Sequence, residues 1–351
     1  MLKGAIIGFG QVAEKAHACA WKEYANDFSI VAVAEQSQAR LKCAAASFPD
    51  AGLYPDFLSL LQSESALDFV DIATPPASHP ALILQALQQN CHVLCEKPLA
   101  TNPKDLETIL SLSQAKNRAV FTVHNWKKAP HFLKASEILK EKLLGEVRHV
   151  ELHTLRNQPA TSTPSGPAWR KDISLSGGGI LVDHGWHLFS LLQELLPQHP
   201  LSITARLNID EGGTEEEASC FLIYPNATAH LFLTWRSHER SNWGILHGTQ
   251  GTLEIRDDRL SLQRKGHPIE VFPLEEKLSA SSAHPAWFSL LLEDFKAEVQ
   301  NPRLRGKNLR EAEICSMLLS HAYQSHRLGG KTVSLPFSVL PASLLREKAS
   351  F

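Results

Sequence analysis

At 351 residues, with 43% hydrophobic and 21% charged side chains, the chain has the composition of a folded globular protein and exceeds the roughly 250 to 300 residues that one core supports. Two domains are expected. The formal net charge is -2, from 35 basic and 37 acidic residues, with no run of like charges long enough for a polyelectrolyte tail or a nucleic-acid footprint. The apolar stretch that opens the chain turns at Gly8, too early for a secretory or membrane-spanning segment, so a cytoplasmic protein without a membrane partner is expected.

A short apolar strand over residues 3–8 is followed by a glycine turn and a helix over Val12–Tyr24. Strands at Phe28–Ala34, Leu67–Ala73, Cys91–Cys95 and Ala119–Val123 then alternate with helices at Ser37–Phe48, Pro80–Gln89 and Asn102–Ala115. This rhythm predicts a doubly wound parallel sheet, a Rossmann domain over residues 1–124, with ligands at the carboxyl ends of its strands. The run from Cys91 to Cys95 reads as a strand with Cys91, Val93 and Cys95 on one face rather than as a metal site, which needs more soft ligands nearby. No metal is expected, and the six scattered cysteines are read as reduced thiols.

After a helix at Pro130–Leu144 the pattern changes to polar–apolar alternation at Gly145–Arg156, Ala218–Tyr224, Thr228–Trp235, Gly251–Arg256 and Ile269–Phe272. Residues 125–351 are therefore expected to form an α+β domain with a large, mainly antiparallel open sheet, one face on helices and one free. The free face predicts a homodimer or homotetramer. A Pro/Ser/Thr-rich loop spans Gln158–Ser176, and helices at Pro285–Val299 and Leu309–Arg327 precede a strand at Lys331–Leu335. The last helix and strand are expected to pack back on the first domain; the tail from Pro336 carries no signal.

Gly8-Phe9-Gly10-Gln11-Val12-Ala13 forms G-x-G-x-x-A between the first strand and helix. The first glycine permits the turn, the second admits a pyrophosphate, and the third small residue lets helix pack on strand; helix-start amides then hold the phosphates. Alone, this is also what a structural glycine turn looks like. Glu35 at the end of the second strand adds a carboxylate for a ribose diol and repels a 2′-phosphate, which favours NAD over NADP, although Arg40 follows one turn later.

Two further segments face the expected cleft: Thr74-Pro75-Pro76-Ala77-Ser78-His79 and Glu96-Lys97-Pro98. Lys97 is either a solvated turn lysine or a cation beside a nicotinamide, stabilising a substrate alkoxide, with Pro98 fixing the turn through a cis bond. Gly177-Gly178-Gly179 precedes a predicted helix on which Asp183 and His187, four apart, share a face beside His184. A helical histidine is commonly structural; here the glycines let a ligand approach.

With these motifs in place, the chain resembles the Gfo/Idh/MocA oxidoreductases from Met1 to about Leu335. The resemblance implies that Lys97 polarises the reacting hydroxyl, His187 exchanges its proton and Asp183 positions the substrate. It also implies cofactor contacts from Thr74, Pro75, His79, Glu96, Lys97 and Asn125, in addition to the Gly8–Val12 turn and Glu35. The segment from His124 to Pro130 is similar to the family's Asn-x-Arg stretch, with Lys127 in place of arginine; Ala13, Pro76 and Ser190 also depart from the usual pattern.

The reading that follows is hydride transfer between NAD, or NADP, and a secondary alcohol of a sugar, sugar derivative or cyclitol. Lys97, Lys127, Trp169, Arg170, Asp183, His184 and His187 are the candidate substrate contacts. Two alternatives stand beside it: a redox-neutral glycosidase on the same scaffold, and a cofactor-sensing protein, for which loss of Lys97 or His187 is expected.

Overall fold

The computed structural model describes residues 1–64, 66–160, 169–280 and 283–336. Much of the Gln158–Ser176 loop and the tail after Pro336 lie outside the described residues.

Six strands build the first sheet: β1 (Leu2–Ile7), β2 (Phe28–Ala34), β3 (Gly52–Tyr54), β4 (Phe69–Ile72), β5 (His92–Cys95) and β6 (Val120–Thr122). They are parallel throughout, in the order β3-β2-β1-β4-β5-β6. The middle strands are buried on both faces, which is why β4 and β5 read as apolar runs without alternation. Strand β3 and the helix Phe57–Ser63 escape sequence reading, because three residues carry no periodicity; that helix starts at Asp56, whose carboxylate accepts the Ser59 amide at 2.8 Å.

Nine strands form the second sheet: β7 (Val147–Leu155), β8 (Ser202–Ile209), β9 (Glu215–Ile223), β10 (Thr228–Thr234), β11 (Ser241–Gly248), β12 (Gly251–Arg256), β13 (Arg259–Arg264), β14 (Glu270–Pro273) and β15 (Val333–Ser334). Their order is β14-β13-β12-β11-β7-β10-β9-β8-β15, antiparallel except where β10 runs parallel to β7. In β7 the residues Val150, Leu152 and Thr154 are buried, while His149, Glu151 and His153 look out from the other face. The expected alternation holds, and β8, β11 and β13 join the five strands read from sequence.

The carboxyl-terminal elements divide. Helix Pro285–Gln300, which precedes the last helix, packs on the first domain: Phe288 and Phe295 enter a cluster with Trp21, Phe28 and Phe69. Helix Lys307–Arg327 caps the open edge of the first sheet, since the Asn308 carboxamide accepts the Thr122 amide at 2.6 Å and donates to the Thr122 carbonyl at 3.1 Å. The last strand corrects the expectation, for β15 pairs with β8 at the edge of the second sheet. The two sheets thus share helices, and the cleft lies at the carboxyl ends of β1, β4 and β5, facing helix Trp186–Leu195.

Candidate active site

The glycine turn is shaped by what stands beneath it. Gly8 has φ 84°, and a Cβ there would lie 2.7 Å from Thr74 Cγ2 and 3.0 Å from the Ala73 carbonyl. At Gly10 a Cβ would meet nothing within 4 Å, so its backbone is open to a ligand. Glu35 holds the turn from the end of β2, accepting the Phe9 amide at 2.7 Å and the Ser37 amide at 2.8 Å. Gln11 and Val12 follow at the start of the helix, partly buried. Arg40, the residue that left NADP open, donates to the Phe9 carbonyl at 2.7 Å and to Glu14 at 3.0 Å; its guanidinium serves the loop instead of standing ready for a 2′-phosphate. Across the cleft, Asn125 Oδ1 is buried without a hydrogen-bond partner, as a group that meets a polar ligand would be. An open Gly10 backbone, a carboxylate at the end of β2 and an orphaned amide oxygen together fit NAD.

His79 does not face that cleft. Its ring is fully buried, with one nitrogen 2.8 Å from the Pro98 carbonyl and the other 2.8 Å from the Thr74 carbonyl. The imidazole ties the loop after β4 to the turn after β5, with both ring nitrogens on main-chain carbonyls. Thr74 bonds Ser78 Oγ at 2.7 Å, and Pro75 leads into the short turn Pro76–Ser78. Glu96 turns inward: it pairs with His17 Nε2 at 3.1 Å and accepts the Lys97 amide at 3.1 Å. His17 also meets Asp71 at 2.8 Å and stacks on Phe288 at 4.0 Å. Burial by itself would lower the His17 pKa, but Asp71 with Glu96 reverses this and pushes it up to about 9.

The peptide before Pro98 is cis, and Lys97 leaves this turn towards the second domain. Its ammonium donates to the Asp183 carbonyl at 2.6 Å and to Asp183 Oδ1 at 3.0 Å, joining residues 86 positions apart. Asp183 sits in a π-turn, Leu181–Gly185, that widens the helix where it meets the cleft. Its other oxygen receives Arg170 Nε at 3.3 Å, with His184 Nδ1 also at 3.3 Å. Burial opposes ionisation of Asp183, yet Lys97, Arg170 and His184 outweigh it and hold the carboxyl well below its usual range. Arg170 lies 4.2 Å from the Trp169 ring centroid, and Lys97, Trp169, Arg170, Gly178 and Asp183 line one cavity.

One turn beyond Asp183, His187 is buried, with Nδ1 enclosed and unpartnered. Burial, and next the charge of Lys97, pull its pKa well below 6.5. Lys97 reaches the same stretch of helix, holding Asp183 four residues before His187. The His184 imidazole is held neutral in the same way, by burial against the attraction of Asp183.

Two further groups of candidates are engaged by the protein itself. The Lys127 ammonium is held by Glu311 at 2.7 Å and Glu194 at 2.8 Å. Gly178 and Gly179 line the cavity, and the glycines also allow close packing. A Cβ on Gly179 would lie 2.0 Å from the Glu215 carbonyl, and one on Gly177 would lie 2.7 Å from Thr101. Buried Glu215 accepts the amides of Gly179 at 2.7 Å and Leu181 at 3.0 Å, seating the π-turn on β9. Glu215, His17 and Trp126, whose indole stacks on His187, went unread because their partners lie far along the chain.

Comparison with known proteins gives this arrangement its family. A model described as an oxidoreductase family with an NAD-binding Rossmann fold matches residues 2–124, and the companion carboxyl-terminal domain model matches 132–254. A D-apiose dehydrogenase of Paraburkholderia graminis is 30% identical over 309 residues, 85% of this chain and 78% of that protein. The chain belongs to the GFO/IDH/MocA oxidoreductase family. An uncharacterized oxidoreductase of Schizosaccharomyces pombe is 31% identical over 207 residues, 59% of this chain; the match spans about half of that relative's length, 54%. A levoglucosan dehydrogenase in complex with NADH shares the fold, with a TM-score of 0.82, 19% identity, and coverage of 95% of this chain and 99% of that one. In this GFO/IDH/MocA chain, then, the glycine turn belongs to an NAD-binding domain, and no helix among the described residues is long and apolar enough to cross a membrane.

Proposed function

We propose that the protein is an NAD-dependent dehydrogenase or reductase acting on a secondary alcohol of a sugar, sugar derivative or cyclitol. The observation that carries this reading is the Lys97 ammonium on Asp183, 2.6 Å from its carbonyl and one helical turn before His187. The Gly8–Val12 turn, Glu35 and Asn125 would hold NAD, which would supply hydride exchange with the alcohol carbon. Thr74, which lies beneath Gly8, and Pro75 would border the bound cofactor.

An ammonium has three donors. Two from Lys97 meet Asp183, and the third is available to the substrate oxygen, where it stabilises developing negative charge. As hydride leaves carbon, the hydroxyl proton becomes acidic and His187 takes it at Nε2, since Nδ1 is enclosed. The resulting imidazolium lies beside Lys97, so it releases the proton readily; reduction runs the same steps in reverse. Asp183 holds Lys97 in place, and Arg170, Trp169 and His184 are the groups for the remaining hydroxyls.

The boundary between the dinucleotide-binding and substrate domains falls at residues 124 and 125 in this reading, and the outward face of the second sheet receives a second copy of the chain in a cytoplasmic homo-oligomer. Support for the pairing comes from that face's length, nine strands across. The test is fluorescence titration with NADH and NADPH, followed by NAD reduction against a panel of sugars, sugar acids and inositols. NADH binding and turnover of one polyol class are expected. Failure to bind either nicotinamide nucleotide overturns the proposal, and aglycone release without NADH accumulation replaces it with the redox-neutral glycosidase.

A further inference from the structure

Trp126 lies in the short turn Asn125–Lys128, directly after Asn125, and its indole is buried. The His187 ring lies 8° from parallel to it with centroids 4.8 Å apart, and the His184 ring meets it at 6.4 Å, close to perpendicular. The stack therefore joins the loop after β6 to helix Trp186–Leu195, across the cleft that the nicotinamide and substrate share.

A histidine that exchanges protons is ordinarily oriented by an acceptor on its far ring nitrogen, a carboxylate or a carbonyl, which fixes both ring plane and tautomer. Among the described residues His187 has no such acceptor. Its Nδ1 is enclosed without a partner, and the carboxylate of the site, Asp183, is engaged by Lys97 and Arg170. No hydrogen bond sets rotation about the Cβ–Cγ bond, so the face contact does.

We propose that Trp126 is the positioning residue of His187, holding the imidazole plane so that Nε2 points at the substrate hydroxyl. The indole face also gives the imidazolium formed during turnover a π-system in place of a counter-ion, offsetting part of the repulsion from Lys97. The inference rests on the reading of His187 as the proton-exchanging group. It also accounts for the pairing of Asn125 and Trp126: adjacent residues in one rigid turn place the cofactor contact and the support of the base.

The test compares Trp126→Phe and Trp126→Leu with His187→Asn in the full chain, using the substrate the panel identifies. Trp126→Leu is expected to lower kcat about 10- to 100-fold, the range for a misplaced reacting group, with KM and the NADH dissociation constant unchanged. Trp126→Phe, which keeps a ring face, retains most of the activity. In histidine-labelled protein, the His187 Cε1–H resonance, identified by its absence in His187→Asn, lies upfield in the wild type through the indole ring current and moves downfield in Trp126→Leu. Wild-type kcat in folded Trp126→Leu overturns the positioning role while leaving His187 in place. Loss of NADH affinity in parallel with kcat does so too, since Trp126 then only packs the cleft. Full activity in His187→Asn removes the base reading and this inference with it.

Discussion

Two π-turns are tied to the Glu96–Lys97 turn, and each places a buried histidine against an aromatic ring. Ala13–His17 brings His17 onto Phe288, with centroids 4.0 Å apart, and Leu181–Gly185 leads into His187, which stacks on Trp126 at 4.8 Å. Burial disfavours the charged form of both. His17 nevertheless rises to about 9, because Asp71 and Glu96 bracket it, while His187 falls well below 6.5 through burial, with the charge of Lys97 adding to it. Neighbouring charge decides whether burial prevails: His17 is held as a cation under the Lys97 turn, and His187 stays neutral.

The sharpest way to break this comparison is to remove the active pair. His187→Asn and Lys97→Met should each lower kcat by roughly 10²- to 10⁴-fold, as expected for a positioned acid–base or charge-stabilising group, with NADH affinity retained in a fluorescence titration. A smaller loss for either would mean that the two side chains do not share a substrate. On the other side, His17→Gln should leave activity of the folded fraction largely intact but destabilise the chain by about 3 to 5 kcal/mol, since Asp71 and Glu96 lose the cation between them. Urea denaturation measures this, and an unchanged midpoint would show that the carboxylates find another partner.

Next in size is the pH dependence. The folded-state pKa of His17, about 9, lies above the ordinary 6.5, so the folded chain binds this proton more tightly than the unfolded one. Its stabilisation is fully present below pH 6.5 and is lost as pH rises through about 9. Wild-type stability should decline over that window, and His17→Gln should flatten the decline. His187 has the opposite sign: with its pKa lowered it stays neutral, so kcat/KM for alcohol oxidation should show no acid limb from this group until well below pH 6.5. An acid limb near 6.5 that disappears in His187→Asn would contradict the assignment. The smallest effect is expected at Glu215, which seats the second π-turn: Glu215→Gln keeps an acceptor but loses its charge, and thermal unfolding should register about 1 kcal/mol.

Sequence reading reached the first sheet because each βαβ unit announces itself locally, through apolar strands, periodic helices and a glycine turn. It missed β3, which is too short to carry a period, and left β8, β11 and β13 unassigned although their alternation is visible once neighbouring strands are known. In the site, Lys97, Asp183 and His187 were legible as local motifs. His17, Trp126 and Glu215 were not, since each acquires its meaning from a residue dozens of positions away: Asp71, His187 and Gly179. The partners of Lys127 and His79, namely Glu194, Glu311, Thr74 and Pro98, likewise become visible only in the folded chain.

Short-range chemistry was therefore set by the amino-acid order alone: the glycine turn at Gly8, the acid at Glu35, the Lys97 turn and the i, i+4 pair of Asp183 and His187. Tertiary structure decided the protonation states and allegiances of those groups, because a charge in a buried site takes its energy from every other charge and dipole within a few ångströms, wherever in the chain they originate.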